Sequence, residues 1–102
     1  MTMKQPHISI SRQAVAALCR RHHIRRLELF GSVLRDDFRP DSDVDMLVEF
    51  EPEAQIGLFA FQQIQTELSA LVQRPVDLVP RNGLKPLIRE SVLASAQEIY
   101  TA

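Results

Sequence analysis

The sequence predicts an α/β domain. Two observations carry that expectation. Residues Asp43 to Phe50 alternate, with Val44, Met46, Val48 and Phe50 on one face and Asp43, Asp45, Leu47 and Glu49 on the other, which is the period of a strand. Residues Gly57 to Val72 instead place Phe61, Ile64, Leu68 and Leu71 at helical spacing, the period of a half-buried helix. Helices of this kind alternating with three strands give an α/β class, not an all-α or all-β one.

Each element has its own local reason. Ser11 to His23 reads as the first helix: Ser11 is a suitable N-cap, Val15, Leu18 and Cys19 share a face, and Arg20, Arg21, His22 and His23 bring positive charge to the C-terminal end. Leu27 to Phe30 is a short strand. Gly31-Ser32 breaks it, and Val33 to Asp37 reads as one or two helical turns. Arg39-Pro40-Asp41-Ser42 is loop chemistry. Leu47, apolar on the acidic face of the Asp43 to Phe50 strand, predicts that the far end of that strand is covered on both sides. Arg74-Pro75 stops the long helix and Val76 to Val79 forms the third strand. Pro80 to Gly83 turns the chain. Leu84 onward is a last helix with Pro86 in its first turn and Ile88, Val92 and Leu93 facing inward. Glu98-Ile99-Tyr100 either extends that helix or forms a small strand.

The chain has 102 residues, 45% apolar and 25% charged, which fits one soluble domain spanning 1–102 with a modest core. The formal net charge is -1, so stable binding to DNA or RNA backbones is not expected. Cys19 is the single cysteine, and no internal disulfide can form. No apolar run approaches membrane-spanning length, and Met1 to His7 has no signal-peptide pattern. A cytoplasmic location is expected.

The chemistry concentrates in four places. Asp43 and Asp45, at i and i+2 of a strand, point to one face. Two like charges there are unfavourable unless a cation lies between them, and hard divalent ions prefer oxygen ligands. Taken alone, an Asp-x-Asp is more often a solvated strand edge. Asp77 changes the balance, because it is a lone acid within an apolar strand, where burial without a partner is costly. It is either the partner of an arginine, a strand-end residue reaching water, or the third carboxylate of the site. Gly31-Ser32 precedes Asp43 by ten intervening residues. Gly31 allows close backbone approach, and Ser32 offers a hydroxyl and an N–H to phosphate. Arg35 reaches the same phosphate or braces an acid of the loop. A calcium loop of the EF-hand type is excluded, since Met46 and Pro52 stand where Gly and Glu are needed. No P-loop run exists.

The stretch Phe30 to Phe50, FGSVLRDDFRPDSDVDMLVEF, followed by Asp77 on a later strand, resembles the DNA polymerase β-like nucleotidyltransferase superfamily. More closely, it is similar to the minimal nucleotidyltransferase (MNT) antitoxins. Val76 to Val79 and the tail from Leu84 to Tyr100 share the resemblance, which covers most of the chain. It implies a small mixed three-stranded sheet flanked by helices. It implies two Mg²⁺ ions held by Asp43, Asp45 and Asp77, with Gly31 and Ser32 on the triphosphate of ATP. It implies a HEPN-domain toxin as partner, silenced by transfer of AMP from ATP to a tyrosine hydroxyl. Two departures from many relatives are Leu34 for Ala and Asp36 for Gly, the second adding negative charge near the phosphate seat. The short chain leaves no room for a separate acceptor-binding domain, which favours a macromolecular acceptor over an antibiotic such as an aminoglycoside. The other reading of the same resemblance is an antitoxin that neutralises by binding alone.

Other features carry less. Cys19 and His23 have metal-ligand spacing but are too few. Arg20, Arg21, Arg25 and Arg26 are more simply a solvated face, or one that meets an acidic partner, than an RNA contact. Leu58 and Phe59 lie off the main stripe of their helix and are interface candidates if exposed. Tyr100 is the only tyrosine and is better read as packing than as a site of self-modification.

Overall fold

The computed structural model describes residues 2–4, 8–35, 39 and 42–102. The chain runs β1 (Thr2–Lys4), β2 (Ser9–Ser11), α1 (Arg12–Arg21), β3 (Ile24–Phe30), β4 (Val44–Phe50), α2 (Leu58–Val72), β5 (Val76–Pro80), α3 (Pro86–Ser95) and β6 (Gln97–Thr101), with 3-10 turns at Gly31–Leu34 and Arg81–Gly83.

The helices begin and end where local chemistry dictates. The Ser11 hydroxyl accepts from the Ala14 N–H at 3.3 Å, capping α1. Arg20 and Arg21 fill its last turn. Helix α2 ends on Gln73 in the left-handed region, φ 57°, and Pro75 then forbids continuation. Pro86 opens α3, where its missing N–H costs nothing.

The main sheet has the order β5-β4-β3-β6. β3 is antiparallel to both β4 and β6, and β4 is parallel to β5. The sheet is therefore mixed, as expected, but it has four strands, not three. The fourth is Gln97–Thr101, which buries only Ile99. Its strand character comes from pairing with β3, a partner that alternation cannot reveal. β3 begins three residues earlier than expected, because Ile24 pairs with Phe50 across a bulge. The charged Arg25-Arg26 disguised that start. A second, two-stranded sheet joins β1 to β2; nothing in the sequence marked it.

One face of the main sheet is the core. Val15, Leu18 and Cys19 of α1 and Ile64, Leu68 and Val72 of α2 form one buried cluster with Leu27, Leu29, Val44, Met46, Val48 and Leu78 of the strands. The edge ring of Phe61 meets Phe50 with centroids 6.4 Å apart. On the opposite face Leu47 is fully buried, and Leu84 is buried as well, so the second covering expected from Leu47 is present. α3 gives less than expected. None of its residues is buried, Val92 and Leu93 are half-buried, and Ile88 is exposed rather than inward-facing. Leu87, also on α3, is 98% exposed, and Leu58 and Phe59 of α2 are exposed too. Among the described residues no helix is long and apolar enough to cross a membrane.

The outer edge of β5 is closed by its own crossover helix. The Val76 N–H donates to the Ser69 hydroxyl at 3.0 Å, and the Leu78 N–H to Gln65 Oε1 at 2.9 Å. Both acceptors come from α2, the helix that connects β4 to β5.

Candidate active site

Register brings the acids together. In the parallel pair β4–β5, Asp45 is the partner of Asp77, so their side chains leave the same face of adjacent strands, with strands spaced about 4.8 Å apart. In the antiparallel pair β3–β4, Asp45 is the partner of Phe30, the residue before Gly31. Asp43 lies just outside β4 and is exposed, as is Asp77, while Asp45 between them is half-buried.

Asp45 feels the charge of both other acids. The Asp45 carboxyl is held above the usual carboxylate range, first by burial and then by the negative charges of Asp77 and Asp43, against which the Arg35 guanidinium pulls weakly. Arg35 is thus within electrostatic reach of the acids. Its N–H donates to the Ser32 carbonyl at 2.9 Å, which closes the Gly31–Leu34 turn.

Gly31 is required by contact as well as by conformation. Its φ is +78°, and a Cβ added there would run into Oδ2 of Asp45, with Cγ at 3.3 Å. The Gly-Ser turn therefore faces the acids, with its backbone against the central carboxylate. Ser32 is half-buried in the same turn. Of the helical stretch expected from Val33 to Asp37, the described part is a four-residue 3-10 turn, Gly31–Leu34, followed by Arg35 in extended conformation; Asp37 lies outside the described residues. Val33 is fully buried in the core. Any phosphate seat here is therefore made of turn amides, not of an α-helix start. Asp36 and Asp41 lie outside the described residues.

The donor set is all oxygen, hard and mutually repulsive, which fits a hard divalent cation such as Mg²⁺. Among the described residues no three His, Cys, Asp or Glu side chains are grouped so as to hold a metal ion by themselves. Mg²⁺ characteristically takes one or two carboxylates and completes its shell with substrate phosphate and water, so an open acidic face suits it. Cys19 is buried, its thiol pushed up to about 12 chiefly by burial, and is not a ligand or nucleophile.

The loop entering Asp43 has a feature the sequence did not announce. Arg74, between α2 and β5, donates through Nη2 to the Arg39 carbonyl at 2.6 Å and the Ser42 carbonyl at 3.2 Å. Only Arg74-Pro75 as a helix stop was legible; the reach across more than thirty residues of sequence leaves no local signal. A second unforeseen group lies toward the other end of β4. Arg81 Nε is 3.0 Å from Oε1 of the buried Glu28, and its Nη1 is 3.8 Å from Glu49. The cleft of about 400 Å³ lined in part by Glu49, Phe50, Arg81 and Arg89 opens there, away from the three aspartates.

Comparison with known proteins bears on family and fold. Residues 11–99 match the protein family described as nucleotidyltransferase domain. A protein adenylyltransferase, MntA, of Thermococcus cleftensis is 40% identical over 73 residues, covering 72% of this chain and 72% of its own. A toxin–antitoxin crystal structure with AMP-PNP shares the fold, with a TM-score of 0.70 at 18% identity over 91% of this chain and 75% of that one. So does a tri-AMPylated Shewanella oneidensis HEPN toxin in complex with an MNT antitoxin, at a TM-score of 0.62 and 18% identity over 89% and 70% of the two chains.

Proposed function

The chain belongs to the nucleotidyltransferase domain family, and from that premise we propose that it is the antitoxin of a toxin–antitoxin pair, transferring AMP from ATP to a tyrosine hydroxyl of a HEPN-domain toxin. The observation that carries this reading is the registration of Asp45 with Asp77, at a carboxyl that burial first and the charges of Asp77 and Asp43 second hold above the usual range. A fold keeps like charges this close at a cost to its own stability, which is sensible where a cation and a polyphosphate complete the balance.

Asp43, Asp45 and Asp77 would hold the two Mg²⁺ ions, which when bound would supply neutralisation of the negative charge on the triphosphate. Gly31 brings its backbone close to the triphosphate, and the Ser32 N–H and hydroxyl donate to phosphate oxygens. Arg35 adds positive charge on the same side. The tyrosine oxygen forms a bond to the α-phosphorus while the bond from that phosphorus to the bridging oxygen of the β-phosphate breaks. Asp77 accepts the phenolic proton, and pyrophosphate leaves. Catalysis here is positioning and electrostatics, with no covalent enzyme intermediate.

The experiment uses α-labelled ATP, Mg²⁺ and the cognate toxin. Label passes to the toxin with the wild-type chain, and an adenylate adduct appears on a toxin tyrosine by mass spectrometry. The Asp43→Asn/Asp45→Asn double variant transfers no measurable label and leaves the toxin active. If that variant still silences the toxin fully, neutralisation is by binding, and the transfer reading is wrong.

A further inference from the structure

We propose that Arg74 is a positioning residue that sets Asp43 in place against Asp45 and Asp77, an inference that rests on reading the three acids as one cation site. Asp43 is the one acid of the three outside a strand, so the sheet ladder does not fix it. Its two chain neighbours are fixed instead, and both from a single segment. On one side the Ser42 carbonyl accepts from Arg74 Nη2 at 3.2 Å. On the other the Val44 N–H donates to the Pro75 carbonyl at 2.8 Å. Two consecutive residues, Arg74 and Pro75, therefore grip the two residues that flank Asp43.

The grip extends into the loop. The same Nη2 donates to the Arg39 carbonyl at 2.6 Å, and the loop is closed on itself by Ser42 N–H to Arg39 carbonyl at 3.0 Å and Arg39 N–H to Ser42 Oγ at 3.1 Å. A guanidinium NH₂ has the two protons needed to bridge two carbonyls. The base of the clamp is itself held. The Arg74 N–H donates to the Ser69 carbonyl at 3.2 Å, just after Gln73 in the left-handed conformation that ends α2. Asp77 lies three residues further along the same segment. One short stretch, 73–77, thus carries one acid and holds both flanks of another, and Arg74 is the side chain that couples them.

The effect is read through cation binding, not turnover. Mn²⁺ serves as the probe in the presence of α,β-methylene-ATP, whose α–β linkage resists transfer, with free Mn²⁺ followed by electron paramagnetic resonance. Arg74→Ala weakens Mn²⁺ binding roughly 10-fold, the scale seen when a group that orients a metal ligand is removed. Arg74→Lys, which keeps donors and charge, returns it to within about threefold of wild type. Asp43→Asn weakens binding at least as much as Arg74→Ala, and the Arg74→Ala/Asp43→Asn pair is no weaker than Asp43→Asn alone, because the clamp has nothing left to position. Unchanged affinity in Arg74→Ala with a native melting curve overturns the proposal, and so do losses that multiply in the pair. If Arg74→Ala fails to fold, the same comparison is made with Arg74→Gln, expected between Lys and Ala. Equal Mn²⁺ binding by wild type and Asp43→Asn refutes the acid-site reading itself, a result distinct from failure of the clamp alone.

Discussion

Carboxylates occupy the same face of the sheet at the Asp45 end of β4 and toward its Glu49 end, and the two places treat them differently. Glu28, buried on β3 opposite Leu47, has the Arg81 guanidinium at 3.0 Å, with Glu49 at 3.8 Å from the same group. There the chain supplies its own cation. At the Asp45 end the central carboxyl is raised by burial first and then by the charges of Asp77 and Asp43, which Arg35 offsets only in part. An ion pair built into the fold is structural; acids only partly offset, facing a glycine turn, fit the cation and polyphosphate of the proposed function. On that reading the difference separates charge that holds the protein together from charge kept at a cost for chemistry.

The largest expected effect tests the cost directly. Asp45→Asn lowers AMP transfer by roughly 10²- to 10³-fold or more, the scale of losing one group that stabilises transition-state charge, yet raises the melting temperature of the metal-free protein by about 2–4 °C. The sign follows from linkage. A carboxyl whose folded pKa lies above its unfolded value binds protons more tightly in the fold, so its contribution to stability is greatest at low pH and is lost as pH rises through the folded value. The melting difference between Asp45→Asn and wild type therefore shrinks as pH is lowered from 7, and scanning calorimetry across that range checks it. A variant less stable than wild type at neutral pH would break the contrast.

Arg81→Met applies the opposite operation at the other end. It leaves Glu28 buried without its cation and costs about 3 kcal/mol in urea denaturation, part of which returns in Arg81→Met/Glu28→Gln. Gly31→Ala comes next. The positive φ alone costs about 1–2 kcal/mol, and the methyl group against the Asp45 carboxylate displaces the acid, so activity falls by more than the stability loss explains. The smallest effect is at a surface counterpart of the Arg81 pair. Glu67 is held below the usual carboxylate range by its hydrogen bond from His22, with Arg21 at 2.6 Å assisting. Glu67→Gln costs about 0.5 kcal/mol at pH 7. A depressed folded pKa gives stability above the unfolded value that disappears as pH falls through the folded one, so the variant and wild type converge in acid.

What could be read in advance follows the reach of each interaction. The meeting of Asp45, Asp77 and Gly31 was legible because it follows from short spacing on strands and a turn: Asp45 pairs with Asp77 in the sheet, and Gly31 lies against Asp45. Leu47, apolar among acids, correctly signalled a second covered face. Arg74 and Arg81 were not legible as partners of a loop and of a buried acid, since each acts across a long stretch of sequence and an arginine in isolation reads as surface. β6 was legible only as one of two options, because its pairing partner, not its own pattern, makes it a strand. The inward-facing expectation for Ile88 failed because helical periodicity reports a stripe, not whether anything packs on it; α3 buries none of its residues.

The two side-chain acceptors that α2 offers to β5 have a further effect. Outward amides on a sheet border are an invitation to any extended segment nearby, and a β-rich neighbour can polymerise through them. With Val76 and Leu78 already satisfied by Ser69 and Gln65, that invitation is withdrawn along the border beside Asp77. Strand-by-strand growth would have to start from the opposite margin, so the border beside Asp77 is left uncovered by it.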